Sequence, residues 1–567
     1  MTNSYITDIV ETTAASTDAF QMNGGYDTLF LASTGSLIAL GASSVGLDMN
    51  GGGESATLDG TVYSAQASAL IEGGLGLATI VVNGEVESAG GYGIAALGGN
   101  DSITVNGLVG TTNGQSGNSF VDAIYATNLD DTIAVNGEAE SAYGNAVNAG
   151  GNNNVIVVDG SAKGAIGINA AGNSDVIRID GSVDGAAVVE GAGLGVSISG
   201  QDTSVDIGTK GDVYGANSGV EVTGIGDSVK SSGHISGGQF GIYTNGSQYL
   251  ALTNDGAVSG IYLNNAVGTQ IQNVGLVSHE TGNTAISLTS ASDTTVENSG
   301  TVHGSLFADA NSNAYITNSG SWDGQIQIVS SSNSLTNTGT IAGGVNFGAG
   351  EISVVSETVD NDGTIRNGVD LYSSNYSELT NSGTIDAGVT HTAVIVGTGS
   401  TFFNSGTING NVVEGMVTSS NGGTWTNTGT IHGNVGFNNF STGSYTFDNS
   451  EGVVTGSITA GGGADTFLMG QGNNTYNAGP GQDTFVFGPA FGHDTISGFI
   501  VPGGSGVHDV LSLSPQDFAN LTALEADMTQ VGTTTAVVIT DAAGGTITIE
   551  HTTISTLEHH AADFIFS

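Results

Sequence analysis

Short runs of β-branched and apolar residues recur through most of the chain, and Gly, Asn and Ser separate them. The runs contain no proline before Pro480 and lack the apolar spacing of a helix, so they predict strands. A phrase follows many runs: Asn or Asp, often a small polar residue, Gly, and another strand, as in segment 298–302 (NSGTV). The pattern therefore predicts short strands joined by tight turns.

The glycine of this phrase returns at a nearly regular interval, about every 23 residues from Gly60 to Gly452. A period in this range is typical of a solenoid or another repeat array. A second polar turn precedes many of these glycines by about ten residues, as in segment 98–103 (GGNDSI). Each repeat therefore contains strands with a turn residue at each corner.

Strands and corners in this order are typical of one coil of a parallel β-helix. A leucine-rich repeat would show a ladder of leucines, and a propeller blade would need about twice the length. We therefore predict an all-β chain with a long parallel β-helix of about 18 coils over residues 46–459. Residues 1–45 lack the clean phrase and are expected to form an N-terminal cap.

From residue 460 the period shortens to nine. Three consecutive units, 460–468, 469–477 and 478–486, keep Gly at the second and fourth positions, Asp or Asn at the sixth and an aromatic residue at the eighth. They resemble the G-G-x-G-x-D-x-U-x nonapeptide of the RTX (repeats-in-toxin) family, whose repeats form a calcium-binding parallel β-roll. The resemblance covers only residues 460–486 and predicts a short roll there.

The resemblance implies a Ca²⁺ site, because Ca²⁺ prefers oxygen ligands and glycines let loop carbonyls turn towards the ion. Two nonapeptides make one turn of such a roll, so Asp465 and Asp483 should stack on one edge and form one good site. Asn474 faces the other edge and departs from the motif. The alternative is a Gly-rich turn array without metal. The metal-site residues that the resemblance implies within the nonapeptides are Gly461, Gly463, Asp465, Gly470, Gly472, Asn474, Gly479, Gly481 and Asp483.

Two downstream segments, 491–499 and 508–513, look like the degenerate repeats that close such rolls. Asp494 and Asp509 within them are either further calcium ligands or plain turn residues. We expect residues 487–567 to hold a C-terminal cap and a secretion signal. The expected mechanism is that the roll stays unfolded at low cytosolic Ca²⁺ and folds when it meets external Ca²⁺.

The export prediction depends on the two ends of the sequence. The final residues, 562–567 (ADFIFS), are similar to the uncleaved signal of type I secretion substrates. The N-terminal segment lacks the basic region and apolar core of a secretory signal peptide. We therefore expect an extracellular or cell-surface protein.

The charge balance excludes several classes of partner. Asp and Glu number 53 and Lys and Arg only 5, which gives a formal net charge of −48. Nucleic acids and anionic membranes both need cationic surfaces, so neither is an expected partner. The chain has no cysteine and no apolar run long enough to span a membrane, so we expect neither disulfides nor membrane insertion.

Other candidate chemistry is sparse. The H-E-x-x-H zinc motif does not occur, and the ten histidines are scattered. Trp322 and Trp425 flank Asn-x-Gly corners, where they either stack on a sugar ring or pack in the core. A series of acidic turn residues either binds further cations or caps turns in solvent. These residues are Asp101, Asp131, Asp175, Asp202 and Asp227.

These observations favour an extracellular, calcium-dependent structural or adhesive protein, such as a surface-layer protein, a matrix fibre or an adhesin. Its expected partners are further copies of itself or a cell-surface polysaccharide. The alternative is a secreted polysaccharide-acting enzyme, a lyase or an epimerase, on a β-helix scaffold. Such an enzyme needs a cationic groove to bind a polyuronate, and the presence of only five cations on so acidic a chain disfavours that groove. We therefore expect no catalytic residues.

Overall fold

The computed structural model divides the chain into two compact units, Met1–Val296 with Gly300–His303 and Glu297–Ser299 with Gly304–Ser567. Each unit is all-β and consists of parallel solenoid turns, about 20 in the whole chain. The predicted parallel β-helix is confirmed. The structure describes residues 1–74, 76–112, 121–185, 193–279, 284–309, 312–330, 332–348, 354–372, 374–415, 420–489, 491–501, 506–533 and 535–567.

Each turn of the first unit has three strands, one in each of three parallel sheets that we name A, B and C. Sheet A contains Asn3–Ile6, Thr28–Leu31, Ser55–Leu58, Thr79–Val82, Ser102–Val105, Thr132–Val135, Val155–Val158, Val176–Ile179, Ser204–Ile207, Ser228–Ser231, Ala251–Asn254, Gln270–Asn273 and Thr294–Asn298, which extends into the second unit. Sheet B contains Ile9–Thr12, Ser36–Ala39, Thr61–Ser64, Glu85–Ser88, Leu108–Thr111, Glu138–Ser141, Ser161–Gly164, Ser182–Gly185, Asp212–Gly215, His234–Gly237, Ala257–Val258, Leu276–Ser278 and Thr301–His303. Sheet C contains Phe20–Met22, Leu47–Met49, Leu70–Glu72, Ile94–Ala96, Ile124–Ala126, Asn145–Ala149, Ile166–Ala170, Leu194–Ile198, Ser218–Val222, Phe240–Asn245, Ile261–Asn264 and Thr284–Thr289.

The strands of the second unit also form three parallel sheets, to which we give the same letters. Its sheet A strands are Ala314–Asn318, Ser334–Asn337, Thr358–Asn361, Glu378–Asn381, Thr401–Asn404, Thr424–Asn427, Thr446–Asp448, Thr466–Met469, Thr484–Phe487, Val510–Leu513 and Phe564–Phe566. Its sheet B strands are Ser321–Trp322, Thr340–Ile341, Thr364–Arg366, Thr384–Asp386, Thr407–Asn409, Thr430–His432 and Val453–Val454. Its sheet C strands are Ser305–Ala308, Ile326–Ile328, Val345–Phe347, Val369–Asp370, Thr392–Val396, Asn411–Glu414, Val435–Gly436, Ser457–Thr459, Thr475–Asn477, His493–Ser497, Met528–Val531, Ala536–Thr540 and Thr546–Glu550. Val354–Val355 and Ser374–Asn375 form a separate pair.

The core follows from strict alternation along each strand. In Thr79–Val82, Ile80 and Val82 are fully buried, whereas Thr79 is exposed. Successive turns stay in register, so that Ile80 aligns with Ala56 on one side and Ile103 on the other. Because alternate side chains point to opposite faces of a strand, this register stacks the apolar residues into a continuous core.

The marker glycines lie at the corner between sheets A and B, where successive turns touch. A Cβ at Gly107 would lie 2.0 Å from the carbonyl oxygen of Gly84, and one at Gly84 would lie 2.2 Å from that of Gly60. Close approach of backbones therefore requires glycine here, and this explains the regular phrase in the sequence.

Replacing Gly107 with alanine is expected to destabilise the first unit by about 1–3 kcal/mol, because the new methyl group overlaps the preceding turn. Gly110 is the matched control, since the nearest atom to a Cβ there is 3.6 Å away. Chemical denaturation of both variants measures the difference. Equal stability of Gly107→Ala and Gly110→Ala would contradict the close-packed corner.

The N-terminal segment has the architecture of the turns that follow. Asn3–Ile6 pairs in parallel with Thr28–Leu31, and Ile9–Thr12 pairs with Ser36–Ala39. Residues 1–45, where the sequence predicts a cap, thus form the first turns of the solenoid.

The sequence shows only two of the three corners of each turn, because the corner between sheets B and C has no constant residue.

The C-terminal segment leaves the solenoid pattern after Val510–Leu513. A helix, Leu521–Ala526, precedes the antiparallel strands Met528–Val531, Ala536–Thr540 and Thr546–Glu550. After helix Ile554–Glu558 and a 3-10 turn, Ala561–Asp563, the strand Phe564–Phe566 pairs in parallel with Val510–Leu513. This arrangement fits the predicted C-terminal cap. In the part of the chain that the structure describes, neither helix has the length and apolarity to cross a membrane.

Candidate metal centre

The nonapeptide segment forms smaller turns than the rest of the chain. Thr466–Met469 pairs with Thr484–Phe487 in sheet A, and Ser457–Thr459 pairs with Thr475–Asn477 in sheet C. Equivalent residues such as Asp465 and Asp483 are 18 positions apart. Two nonapeptides therefore make one two-stranded turn, and the predicted stacking of Asp465 on Asp483 is confirmed.

The acids on this edge form a hydrogen-bonded series, which we name the Asp465 column (Asp465, Asp483 and Asp509). Asp483 Oδ1 accepts the backbone N–H of Asp465 at 2.8 Å, and Asp509 Oδ1 accepts that of Asp483 at 2.9 Å. Asp465 Oδ1 accepts the N–H of Tyr445 at 2.8 Å. Each carboxylate thus ties its own turn to the preceding one, and all three are at most 1% exposed.

The second carboxylate oxygen distinguishes Asp483 from its neighbours. Oδ2 of Asp465 accepts the N–H of Gly461 at 2.7 Å, and Oδ2 of Asp509 accepts that of Ile500 at 2.7 Å. Oδ2 of Asp483 is buried and has no hydrogen-bond partner. Burial raises the pKa of Asp483 to about 8, and the nearby charges of Asp465 and Asp509 add to the effect. A proton or a cation must therefore compensate this oxygen.

Glycines in this segment allow close approach of carbonyl oxygens from the preceding turn. A Cβ at Gly481 would lie 1.8 Å from the carbonyl oxygen of Gly463 and 2.7 Å from Asp483 Oδ1. A Cβ at Gly463 would lie 2.0 Å from the carbonyl oxygen of Gly443. Only glycine fits at these two close approaches, and the oxygens beside them, carboxylate and carbonyl, are of the type that Ca²⁺ prefers.

Asn474 lies on the opposite edge, as the sequence predicts. Its N–H donates to Oδ1 of Asp494 at 3.0 Å, so Asp494 continues this edge into the next turn. Oδ2 of Asp494 and Nδ2 of Asn474 are both buried without a hydrogen-bond partner. Burial raises the pKa of Asp494 to about 6. Because residue 474 is Asn and not Asp, the buried Asp494 has no carboxylate neighbour in the preceding turn of this edge. The remaining glycines of this edge, Gly470 and Gly472, lie at the same turn, and Gly479 begins the next.

Among the described residues, no group of three or more Asp, Glu or His side chains converges on one point. The protein ligands available at the Asp465 column are therefore the free oxygen of Asp483 and backbone carbonyls. Calcium binding by the residues named from the sequence stays a prediction.

The first unit has the same kind of cross-turn hydrogen bonds at the corner between sheets C and A. We name its acids and amide the Asp101 column: Asp101, Asp131, Asn154, Asp175 and Asp227. Asp101 N–H donates to Asp131 Oδ1 at 2.8 Å, and Asn154 N–H donates to Asp175 Oδ1 at 2.8 Å. Oδ2 of Asp131, Asp175 and Asp227 is buried without a partner in each case. Burial raises the pKa of each of these three carboxyl groups to about 6.

This burial corrects the reading of these acids as solvent-facing turn caps. Asp101, Asp131, Asp175 and Asp227 are at most 1% exposed. Asp202 is the one exposed member of the predicted series. It lies one residue before the corner position and has a φ of 55°. The sequence identified the turn residues but missed the cross-turn hydrogen bonds. The available signal was their constant place immediately before a sheet A strand.

At two of the turns without an acid at this corner, a glutamate in the preceding sheet C strand is buried instead. Ala78 precedes Thr79–Val82, and Gly423 precedes Thr424–Asn427. Glu72 accepts the N–H groups of Gly74 at 2.9 Å and Gly98 at 2.7 Å. Burial, with the neighbouring Asp101, raises the pKa of Glu72 to about 8.

Glu414 occupies the corresponding place in the second unit. Its Oε1 accepts the Tyr445 hydroxyl at 2.6 Å, and its Oε2 accepts the N–H of Asn438 at 2.7 Å. In these two turns a buried carboxyl group is thus present although the corner residue has none.

The Asn of the repeated phrase forms a second column in the second unit, which we name the asparagine column. Each Nδ2 donates to the Oδ1 of the next member at 2.7–2.8 Å. Every member is buried, although the sequence identified these residues only as turn formers. The members are Asn298, Asn318, Asn337, Asn361, Asn381, Asn404, Asn427 and Asn449.

Both tryptophans belong to the core. Trp322 and Trp425 are 0% exposed, so neither ring offers a face to a sugar. Trp322 lies in sheet B and donates from Nε1 to the carbonyl of Gly304 at 3.0 Å. Trp425 lies in sheet A, with its ring centre 4.6 Å from that of Phe437. Core packing, one of the two predicted roles, is confirmed.

Comparison with models of known protein families gives no match to this chain, and comparison with curated proteins gives none either.

Proposed function

We propose that this chain is an extracellular structural or adhesive protein whose C-terminal turns are completed by Ca²⁺. The observation that carries the proposal is the buried Oδ2 of Asp483, which has no hydrogen-bond partner. The carboxylate belongs to a segment in which glycines bring carbonyl oxygens of the preceding turn close to the backbone. A divalent cation there would replace the proton that this carboxyl group otherwise needs. The low calcium of the cytosol would leave the site empty during export, and external calcium would then stabilise the folded turns.

The positions of the cations support a structural role over an enzymatic one. Arg178 and Lys230 lie on either side of Asp206 in sheet A, each in register with it. Lys163 Nζ lies 2.7 Å from Glu138 Oε1. These cations face carboxylates of neighbouring turns and form no cationic groove for a polyuronate. β-Solenoids serve both enzymes and structural proteins, so this charge arrangement, not the scaffold, favours the structural function.

The proposed partners are further copies of the chain or a cell-surface polysaccharide. Repeated strands present the same outward positions on every turn, which suits multivalent contact. With a net charge of −48, neighbouring molecules repel one another unless cations screen or bridge them. Calcium would therefore act both within the C-terminal turns and between molecules.

Electron microscopy of the full chain with and without millimolar Ca²⁺ tests this function. We expect ordered assemblies only with Ca²⁺, and weaker assembly of Asp483→Asn at the same concentration. Dispersed monomers in both conditions would contradict self-assembly. Turnover of alginate or pectate above that of a boiled sample would favour the enzymatic alternative.

A further inference from the structure

The outward face of sheet B in the first unit contains a cavity of about 580 Å³. Its position follows from the sizes of outward residues on successive turns. Tyr214 aligns with the smaller Ser236 on the next turn. His234 aligns with the smaller Ala257, which in turn aligns with the larger Leu276. Small side chains between larger ones leave a depression with walls on two sides. Its volume lies within the range of small-molecule sites.

The two histidines that line the cavity are held in place by the protein. His234 Nδ1 donates to Asp212 Oδ1 at 2.9 Å, which leaves Nε2 as the remaining polar atom of that ring. His279 Nε2 donates to the carbonyl of Gln239 at 2.6 Å. The His279 ring also lies beside Gly260, where a Cβ would be 2.6 Å from its Cδ2. Both imidazoles are therefore oriented before a ligand arrives.

The lining combines hydroxyl groups with apolar surface. Ser236, Ser259 and Ser278 contribute hydroxyl groups, and Ala257 and Leu276 contribute apolar surface. Of the described residues that line the cavity, none is Lys, Arg, Asp or Glu. An anionic ligand would meet Asp212 beside the cavity and the charge of the whole chain. A purely apolar ligand would offer no partner to His234 Nε2 or to the serine hydroxyl groups of the lining.

Tyr214 supplies the remaining element, an aromatic side chain that is 43% exposed at the edge of the cavity. A sugar ring has apolar C–H faces and a rim of hydroxyl groups, and this lining matches both. We propose that the cavity binds a neutral sugar unit of a polysaccharide, with Tyr214 against the ring and with His234 Nε2 and the serine hydroxyls bonded to the sugar hydroxyls. The proposal specifies a partner for the adhesive function proposed above and rests on that function only for its biological purpose.

Binding of the full chain to immobilised neutral and uronic-acid polysaccharides tests this inference. We expect a neutral glycan to bind and Tyr214→Ala to weaken that binding about tenfold or more. Tyr249→Ala is the matched control, because Tyr249 is 65% exposed and does not line the cavity. Circular dichroism verifies that both variants keep the fold.

Three results would overturn the proposal: no binding to any neutral glycan, binding to uronic-acid chains alone, or undiminished binding by Tyr214→Ala. The measurement is repeated without Ca²⁺, because the cavity lies wholly in the first unit. Binding that persists without Ca²⁺ while assembly is calcium-independent would support the sugar site and reject the calcium function. The experiment therefore distinguishes failure of the sugar site from failure of the calcium function.

Discussion

Replacing Asn361 with alanine is expected to destabilise the second unit by about 2–4 kcal/mol. Asn361 lies inside the asparagine column, where its Oδ1 accepts from Asn337 and its Nδ2 donates to Asn381, both at 2.7 Å. The substitution removes both bonds from a fully buried place and leaves a small cavity. Because each turn of a solenoid contacts only its neighbours, the loss should be concentrated in adjacent turns.

Asn449→Ala is the matched control for this prediction. Asn449 accepts from Asn427 at 2.7 Å, but its Nδ2 has no hydrogen-bond partner, so its loss breaks one bond of the column. Hydrogen exchange and chemical denaturation should show a smaller cost than that of Asn361→Ala, which also breaks Nδ2 bonds to the carbonyls of Gly363 and Thr384. Equal costs would show that the cross-turn bonds add little and that only buried volume matters.

Replacing Asp175 with asparagine is expected to stabilise the first unit at neutral pH by about 1–3 kcal/mol. Oδ2 of Asp175 is buried without a partner, whereas Asn154 fills the same place one turn earlier and donates from Nδ2 to the carbonyl of Gly151 at 2.8 Å. An amide at position 175 would keep the bond to the N–H of Asn154 and remove the buried charge. Native proteins seldom gain stability from a buried substitution, so the sign is informative.

The pH dependence of the same pair provides a second measurement. Burial raises the pKa of Asp175 from its ordinary value of 3.8 to about 6, so the folded state holds the proton more tightly than the unfolded state. Its contribution to stability is present below pH 3.8 and is lost as the pH rises to about 6. Thermal melts should show the gain of Asp175→Asn growing across that window. Asp159→Asn, at an exposed position, is the control for the substitution itself.

The solenoid was predictable because its closest contacts demand one residue type. Gly84 and Gly107 lie against the preceding turn, so glycine returns at a fixed interval and marks the repeat. The corner between sheets B and C requires no particular residue type. Only two of the three corners were therefore predictable from the sequence. The 18-residue turn of the nonapeptides was predictable for the same reason, since Gly463 and Gly481 stack directly.

The buried columns were not predictable from a single repeat. Asn and Asp favour turns whether they face water or protein, so Asn361 and Asp175 read as ordinary turn residues. Their burial comes from neighbouring turns: Asp175 bonds the N–H of Asn154 and Asn361 bonds the amide of Asn337, both in the preceding turn. The sequence likewise treats Asp465 and Asp483 as equivalent, whereas only Asp483 keeps a free oxygen. That difference depends on which backbone groups approach, which residue identity does not reveal.

The most direct test of the calcium-completed turns is hydrogen exchange of the full chain, with and without millimolar Ca²⁺, read over residues 445–515. We predict that Ca²⁺ slows exchange of the amides that donate to the Asp465 column, including those of Tyr445 and Asp465. The substitution Asp483→Asn should remove this effect. The same exchange rates with and without Ca²⁺ in the unaltered chain would contradict this prediction.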